Sequence, residues 1–219
     1  MIEYDKDAIV YPYITEFLRK DIPRRKGILG ELEDYAEKNS VPIVQPETAE
    51  FLEVLVNIKR PERILEIGCA IGYSAMLMAD GLAEGGSITT LEWDKDMAEL
   101  ARENIKRGGY EDRIRVINDD AKTVLPTLTG EYDIIFLDGP KAHYIHMLND
   151  CIRLLKKGGL MIADNVLYKG MTADPDHVVR RKITIVKRLQ HFVGAQMHHP
   201  ELKACVLPLG DGVTLAVKL

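Results

Sequence analysis

Three oxygen-bearing side chains and one lysine carry the chemistry this chain has to offer. Asp138 follows the apolar run 132–137, and Asp164 and Asn165 follow the apolar run 160–163. Both runs have the length and make-up of buried strands. Ligands of open parallel sheets bind beyond the carboxyl ends of the strands. Neighbouring strands would therefore set Asp138, Asp164 and Asn165 on one rim. Two carboxylates held together without a cation repel each other. A hard divalent ion removes that cost, and three oxygen donors with room for water suit Mg²⁺, with Mn²⁺ or Ca²⁺ as alternatives. Singly, each residue is equally at home as a cap or a turn residue. Lys141 lies three positions after Asp138. The field of a metal and a second cation would lower its pKa and let it accept a hydroxyl proton. Alone it reads as an ordinary loop lysine.

A second constellation lies upstream, in Ile64-Leu-Glu-Ile-Gly-Cys-Ala-Ile-Gly72. The apolar start suits a buried parallel strand. Gly68 and Gly72 then allow a sharp turn and close approach to a ligand, and an apolar-periodic helix follows. The order Gly68-x-Ala70-x-Gly72 is not a dinucleotide fingerprint, because the third glycine would fall on Tyr73. Glu66 would repel a pyrophosphate. It suits a ligand carrying an amino group and a sulfonium, which is S-adenosylmethionine. Glu92, 20 positions past Gly72, stands where a carboxylate holds a ribose diol. Trp93 beside it would pack on adenine.

The elements that must position these residues follow from periodicity. Helices are predicted over 9–20, 29–38 and 47–58, with an extended link at 41–46. Strands near 63–67, 87–91, 114–118, 132–137 and 160–163 then alternate with helices near 73–83, 95–107, 121–128, 143–155 and 178–194. That alternation predicts an α/β fold, a parallel sheet covered on both faces. Strands 204–207 and 213–217, joined by 208–212 with no helix between, predict a hairpin and one antiparallel strand. The 219 residues, 46% hydrophobic and 29% charged, fit one domain with a sizeable core, a helical extension over 1–60 on a core over 61–219. No apolar run nears the roughly 18 residues of a membrane span. The start, Met-Ile-Glu-Tyr-Asp-Lys-Asp, is too polar for a secretory signal. Three widely spaced cysteines fit a reducing, cytoplasmic setting. The net charge of −5 argues against a broadly basic coat for nucleic acid. It leaves room for local clusters at Arg24-Arg25-Lys26, at Lys169 and at Arg180-Arg181-Lys182 with Lys187 and Arg188, each readable as a solvated face. The six histidines, His143 among them, read as surface or helix-face residues.

Glu66-Ile-Gly-Cys-Ala-Ile-Gly-Tyr-Ser74 resembles the first motif of class I S-adenosylmethionine methyltransferases. Asp138-Gly-Pro-Lys141 with Asp164-Asn165, and Leu207-Pro-Leu-Gly-Asp-Gly-Val213, resemble the metal-dependent O-methyltransferases that include the catechol and caffeoyl-CoA enzymes. The resemblance implies a Rossmann-like, seven-stranded methyltransferase fold, with Asp138, Asp164 and Asn165 as metal ligands and Lys141 as base beside Asp138. It implies cofactor contacts at Val41, Glu66, Gly68, Ala70, Gly72, Ser74, Glu92, Trp93, Ala121 and Asp138. Asp120 would face the adenine amino group, with Asp119 or a plain helix N-cap as the alternative reading. Residues 34–43, 70–75 and 164–170 and the basic run from Arg180 resemble, more narrowly, the bacterial tRNA 5-hydroxyuridine methyltransferases. That likeness implies methylation of the wobble 5-hydroxyl to 5-methoxyuridine, with Lys169, Arg180, Arg181 and Lys182 facing the tRNA anticodon loop. The alternative acceptor is a small catechol-like molecule, walled by Tyr73, Tyr144 and Tyr168. A binding module without catalysis is the third reading, and the retention of Lys141 and the three oxygen ligands counts against it. The N-terminal helices, with Tyr11, Tyr13 and Phe17, would cover the pocket or meet the partner of a homodimer.

Overall fold

The computed structural model describes residues 9–219. The polar start on which the leader expectation rests lies outside the described residues. Three helices come first, α1 (Pro12–Lys20), α2 (Gly27–Asn39) and α3 (Pro46–Lys59). The alternating part runs β1 (Arg63–Ile67), α4 (Tyr73–Ala79), β2 (Ser87–Glu92), α5 (Lys95–Arg107), β3 (Ile114–Asn118), α6 (Ala121–Val124), β4 (Tyr132–Leu137), α7 (Tyr144–Leu154), β5 (Leu155–Ala163) and α8 (Ile183–Met197). The hairpin β6 (Leu202–Leu207) and β7 (Val213–Lys218) closes the chain. The seven strands form one sheet in the order β3-β2-β1-β4-β5-β7-β6, parallel except for β7, which is antiparallel to both neighbours. This is the mostly parallel, seven-stranded Rossmann-like methyltransferase layout that the sequence predicts.

Successive strand residues point to opposite faces, so the sheet feeds two cores. Ile64, Ile88, Ile134, Phe136 and Ile162 pack with α2 to α5 on one face. Leu65, Ile67, Ile135, Leu137 and Met161 pack with α7 and α8 on the other. Strand order reverses between β1 and β4, and the crevice at such a reversal is where an open α/β sheet takes its ligand.

Several boundaries differ from the sequence expectation, among them β6, which starts at Leu202 and not at 204, and α6, which ends at Val124 and passes into a 3-10 turn over Leu125–Thr127. Helix α1 starts at Pro12, not at residue 9, because proline suits the first turn of a helix. Helix α4 stops at Ala79, well before residue 83; Gly81 is pressed against Val56, where a Cβ would lie 2.6 Å from Cγ1. Strand β5 starts at Leu155, not at 160, because Tyr132 pairs with Leu155 across a register shift. The basic run does not open α8: Arg180–Lys182 forms its own 3-10 turn ahead of Ile183. Among the described residues, no helix is long and apolar enough to cross a membrane.

Candidate active site

The turn after β1 is held by contacts that side chains larger than hydrogen would break. Gly68 has φ +92, and a Cβ there would lie 2.7 Å from the Gly139 backbone. The two loops at the sheet reversal therefore touch through two glycines. Glu92, at the end of β2, braces the turn: its Oε2 accepts from the backbone N–H of Cys69 at 3.2 Å and of Ala70 at 2.9 Å. Its Oε1 accepts from Asp94 N at 3.0 Å. Gly72 stands at the N-cap of α4.

The rim beside the turn is acidic. Asp138 Oδ1 lies 2.6 Å from Lys141 Nζ, and both side chains are largely buried. Asp164, 2% exposed, accepts from the Asn165 backbone N–H at 2.6 Å. The buried Tyr144 hydroxyl donates to the Leu137 carbonyl at 3.0 Å and to the Asp164 carbonyl at 3.3 Å, tying the ends of β4 and β5 together. Burial first, and then the Asp138 charge, push the Asp164 carboxyl up to about 7. Lys141 departs from the sequence expectation. Burial works against its cation, but Tyr144, Asp138 and Asp164 outweigh that, and its pKa lies above the ordinary 10.5. The lowered pKa expected of it requires another cation to balance the two carboxylates.

Among the described residues, no three His, Cys, Asp or Glu side chains cluster as a metal site. Two aspartates and an asparagine amide are a different donor set. They offer oxygen alone, and the repulsion that lifts Asp164 is the kind a hard divalent ion relieves. The residues present fit such an ion.

Glu66 is placed differently from expectation. It lies within β1 opposite Thr90 in register, fully buried, and does not line the cavity. Its Oε2 accepts from Thr90 Oγ1 at 2.5 Å, and Oε1 has no partner. Strand alternation turns its side chain into the core with Ile64 instead of toward the crevice. Burial is the main cause that raises its pKa from 4.5 to about 7. The folded chain thus holds a proton that the unfolded chain releases. That contribution to stability is complete below about pH 4.5 and is lost as pH rises through about 7. Glu66→Gln keeps the Thr90 bond and removes the loss. We expect the metal-free protein to gain on the order of 3 kcal/mol at pH about 8 and nothing at pH about 4, read by urea denaturation.

One cavity of about 1040 Å³ joins turn and rim. Of the sequence-predicted residues, Val41, Gly68, Ala70, Ser74, Glu92, Trp93, Asp120, Ala121, Asp138, Lys141 and Asn165 line it. Glu66, Gly72 and Asp164 sit behind its wall, and Lys169, Arg180, Arg181 and Lys182 lie off it. Asp120 also caps α6, accepting from Lys122 N at 2.9 Å, so the capping alternative holds for it as well. Tyr144 is no acceptor wall, since it is fully buried with its hydroxyl spent on two carbonyls. His143, read from sequence as incidental, lines the cavity next to Lys141, with Nδ1 buried and unpartnered. The wall formed by residues 39–45 was visible in sequence only at Val41. A link between two helices gives no signal of what it will cover.

Comparison with known proteins identifies the family. Residues 23–219 match the family described as O-methyltransferase. The chain is 30% identical over 225 residues to caffeoyl-CoA O-methyltransferase 2 of Populus trichocarpa, covering 97% of this chain and 89% of that protein. It is 31% identical over 183 residues to the catechol O-methyltransferase of Niastella koreensis, covering 80% and 81%. Among solved structures, the O-methyltransferase from Bacillus cereus in complex with SAH superposes with a TM-score of 0.84 at 27% identity, over 94% of this chain and 97% of that one. A SAH-bound methyltransferase of Podospora anserina gives 0.87 at 26% identity, over 100% and 98%. The match of residues 23–219 to the family model, with these relatives and structures, places this chain in the O-methyltransferase family, as an S-adenosylmethionine-dependent enzyme of the caffeoyl-CoA and catechol type.

Proposed function

We propose that the chain methylates one of two adjacent oxygens on a small catechol-like acceptor, using S-adenosylmethionine and Mg²⁺, with Mn²⁺ or Ca²⁺ as substitutes. The observation that carries the reading is Lys141 Nζ at 2.6 Å from Asp138 Oδ1, on the cavity wall that also bears Asn165. The curated relatives support the acceptor class. In this reading Val41, Gly68, Ala70, Ser74, Glu92, Trp93, Asp120 and Ala121 hold the donor. Gly72 and Glu66 act from behind the turn. Asp138, Asp164 and Asn165 would hold the divalent ion, which supplies positive charge beside the acceptor oxygens. Lys141, as the neutral amine that the positive charge of ion and donor would favour, takes the hydroxyl proton, and Asp138 then holds the ammonium so formed. The acceptor oxygen then forms the new bond to the methyl carbon, and the sulfur departs with the electron pair as a neutral thioether. The turn and the 39–45 wall keep water from the methyl group. We read residues 1–219 as one methyltransferase domain in the cytoplasm, 1–60 an extension on the core. A homodimer would cover Tyr13 and Phe17, which α1 leaves exposed.

A second reading rests on a separate observation. Arg180, Arg181, Lys182 and Lys187 form no ion pair among the described residues, and Lys182 Nζ sits 5.6 Å over the Tyr168 ring. Such a run suits phosphate contact. A wobble 5-hydroxyuridine in a tRNA anticodon loop offers its hydroxyl beside ring O4, the same pair of adjacent oxygens as a catechol. Labelled methyl donor with Mg²⁺, offered a catechol and a tRNA bearing 5-hydroxyuridine in parallel, separates the two. We expect transfer to the catechol. Transfer to the tRNA alone overturns the first reading for the second, and transfer undiminished by a chelator overturns the role of the metal.

A further inference from the structure

The segment after Asn165 is strained in a way the reaction as described does not use. Asn165, Tyr168 and Lys169 have φ of 57, 48 and 56, and Gly170 follows at 76. Asparagine visits the left-handed region readily, whereas tyrosine and lysine do so at a cost and only where their surroundings hold them there. What holds them is the loop between β6 and β7. The carbonyls of Gly212 and Asp211 accept from Val166 N at 2.9 Å and Leu167 N at 3.0 Å. The Asp211 carboxylate accepts from Lys169 N at 2.5 Å. Gly212, with φ +85, presses so closely that a Cβ would lie 2.3 Å from Leu167 Cγ. The strained segment has Asn165 at one end, on the cavity wall, and the Tyr168–Lys182 contact at the other. Asp211 is not on the cavity wall.

We propose that Asp211 is a positioning residue, whose carboxylate locks the left-handed Tyr168–Lys169 segment and thereby aims the Asn165 side chain at the site of Asp138 and Asp164. This rests on the metal reading given above. The two backbone bonds from the same loop fasten the segment at Val166 and Leu167. Of the bonds from that loop, the carboxylate's is the one that reaches beyond Leu167, where the two costly conformations lie; within the segment itself Met171 N–H donates to the Tyr168 carbonyl at 3.2 Å. Lys169 is exposed, so water satisfies its N–H when the carboxylate is removed, and the fold survives.

The test is a pair of variants in the full chain. Asp211→Ala removes the acceptor; Asp211→Asn keeps an oxygen for Lys169 N–H and drops the charge. Mn²⁺ alone is titrated into each protein, and amide hydrogen exchange is followed at Val166, Leu167 and Lys169. We expect D211A to bind Mn²⁺ roughly 10- to 100-fold more weakly, the usual loss when a partner that orients a ligand is removed, with faster exchange at Lys169. D211N should restore both. Mn²⁺ binding by D211A at the wild-type level overturns the proposal, as does a D211N protein as weak as D211A. A wild-type chain that takes up no Mn²⁺ overturns the metal reading instead. The lock is then decided by exchange: unchanged exchange in D211A overturns it, and faster exchange reversed in D211N supports it.

Discussion

Replacing Lys141 with methionine will lower kcat by roughly 10²- to 10⁴-fold, the range a positioned proton acceptor contributes, and leave the KM for S-adenosylmethionine close to wild type. The split follows from geometry. The donor is assigned to the turn after β1, with Glu92, Trp93 and Asp120, whereas Lys141 pairs with Asp138 and is not among the groups assigned to hold the donor. Methionine keeps the apolar stem of the side chain and ends one atom short of Nζ, which lies 5.7 Å from the centre of the Tyr144 ring. What it removes is the proton acceptor. Lys141→Ala leaves a gap beside Asp138, and added alkylamines should recover part of its activity, which a purely structural lysine would not allow. The variant also loses stability without metal. Because the folded pKa lies above 10.5, the lysine stabilises the fold at every pH below that value, and the contribution is lost only as pH rises through the folded pKa. Steady-state kinetics with donor and acceptor varied separately decide the matter. A kcat within twofold of wild type would remove Lys141 from the chemistry.

Asp164→Asn will separate stability from activity. The folded pKa of Asp164 is raised from 3.8 to about 7, by burial first and then by the Asp138 charge. Its stabilising contribution is therefore complete below about pH 3.8 and disappears as pH rises through about 7. Above that pH the chain carries a buried carboxylate it would be more stable without. Asparagine keeps the shape and the acceptor for Asn165 N–H, so the metal-free variant should melt higher than wild type at pH about 8 and no higher at pH about 4. Methyl transfer should fall by more than the roughly 100-fold that losing an outer partner of a metal ligand costs, because a charged donor is gone. Residues at functional sites often hold stability below its optimum in this way. Thermal scans at the two pH values and transfer assays over a range of Mg²⁺ test it. Wild-type transfer by D164N at limiting Mg²⁺ would end the assignment of Asp164 as a ligand.

Several of these features were legible because they depend on local order along the chain. The run 63–67 ending in Gly68, the strand ends at Asp138 and Asp164, and the Pro208–Gly212 hairpin each follow from apolar periodicity and turn residues a few positions apart. Glu66 is placed differently from expectation at the same level of reasoning. Its place in the strand was clear, but whether an odd or an even residue faces the crevice depends on which helices cover which face. Thr90 across the sheet, far away in sequence, is what shows that Glu66 points inward. Lys141 in the chain without metal departs from expectation for a related reason: its pKa depends on how many carboxylates converge on it, and that number is a property of the packed loops. Asp211 sat in a motif noticed for its turn. Its grip on Lys169 spans 42 residues of sequence.

The chain's sequence determined the order and type of the elements, and with them the rim on which Asp138, Asp164 and Asn165 must fall, because the ends of parallel strands share one edge of the sheet by construction. Only the tertiary structure decided that Glu66 turns into the core, that His143 comes to the cavity, and that a loop near the carboxyl end grips the segment carrying Asn165. Those outcomes rest on contacts between residues distant in the chain. Their energies come from burial and from charges brought within a few ångströms, and neither exists until the two faces of the sheet are covered.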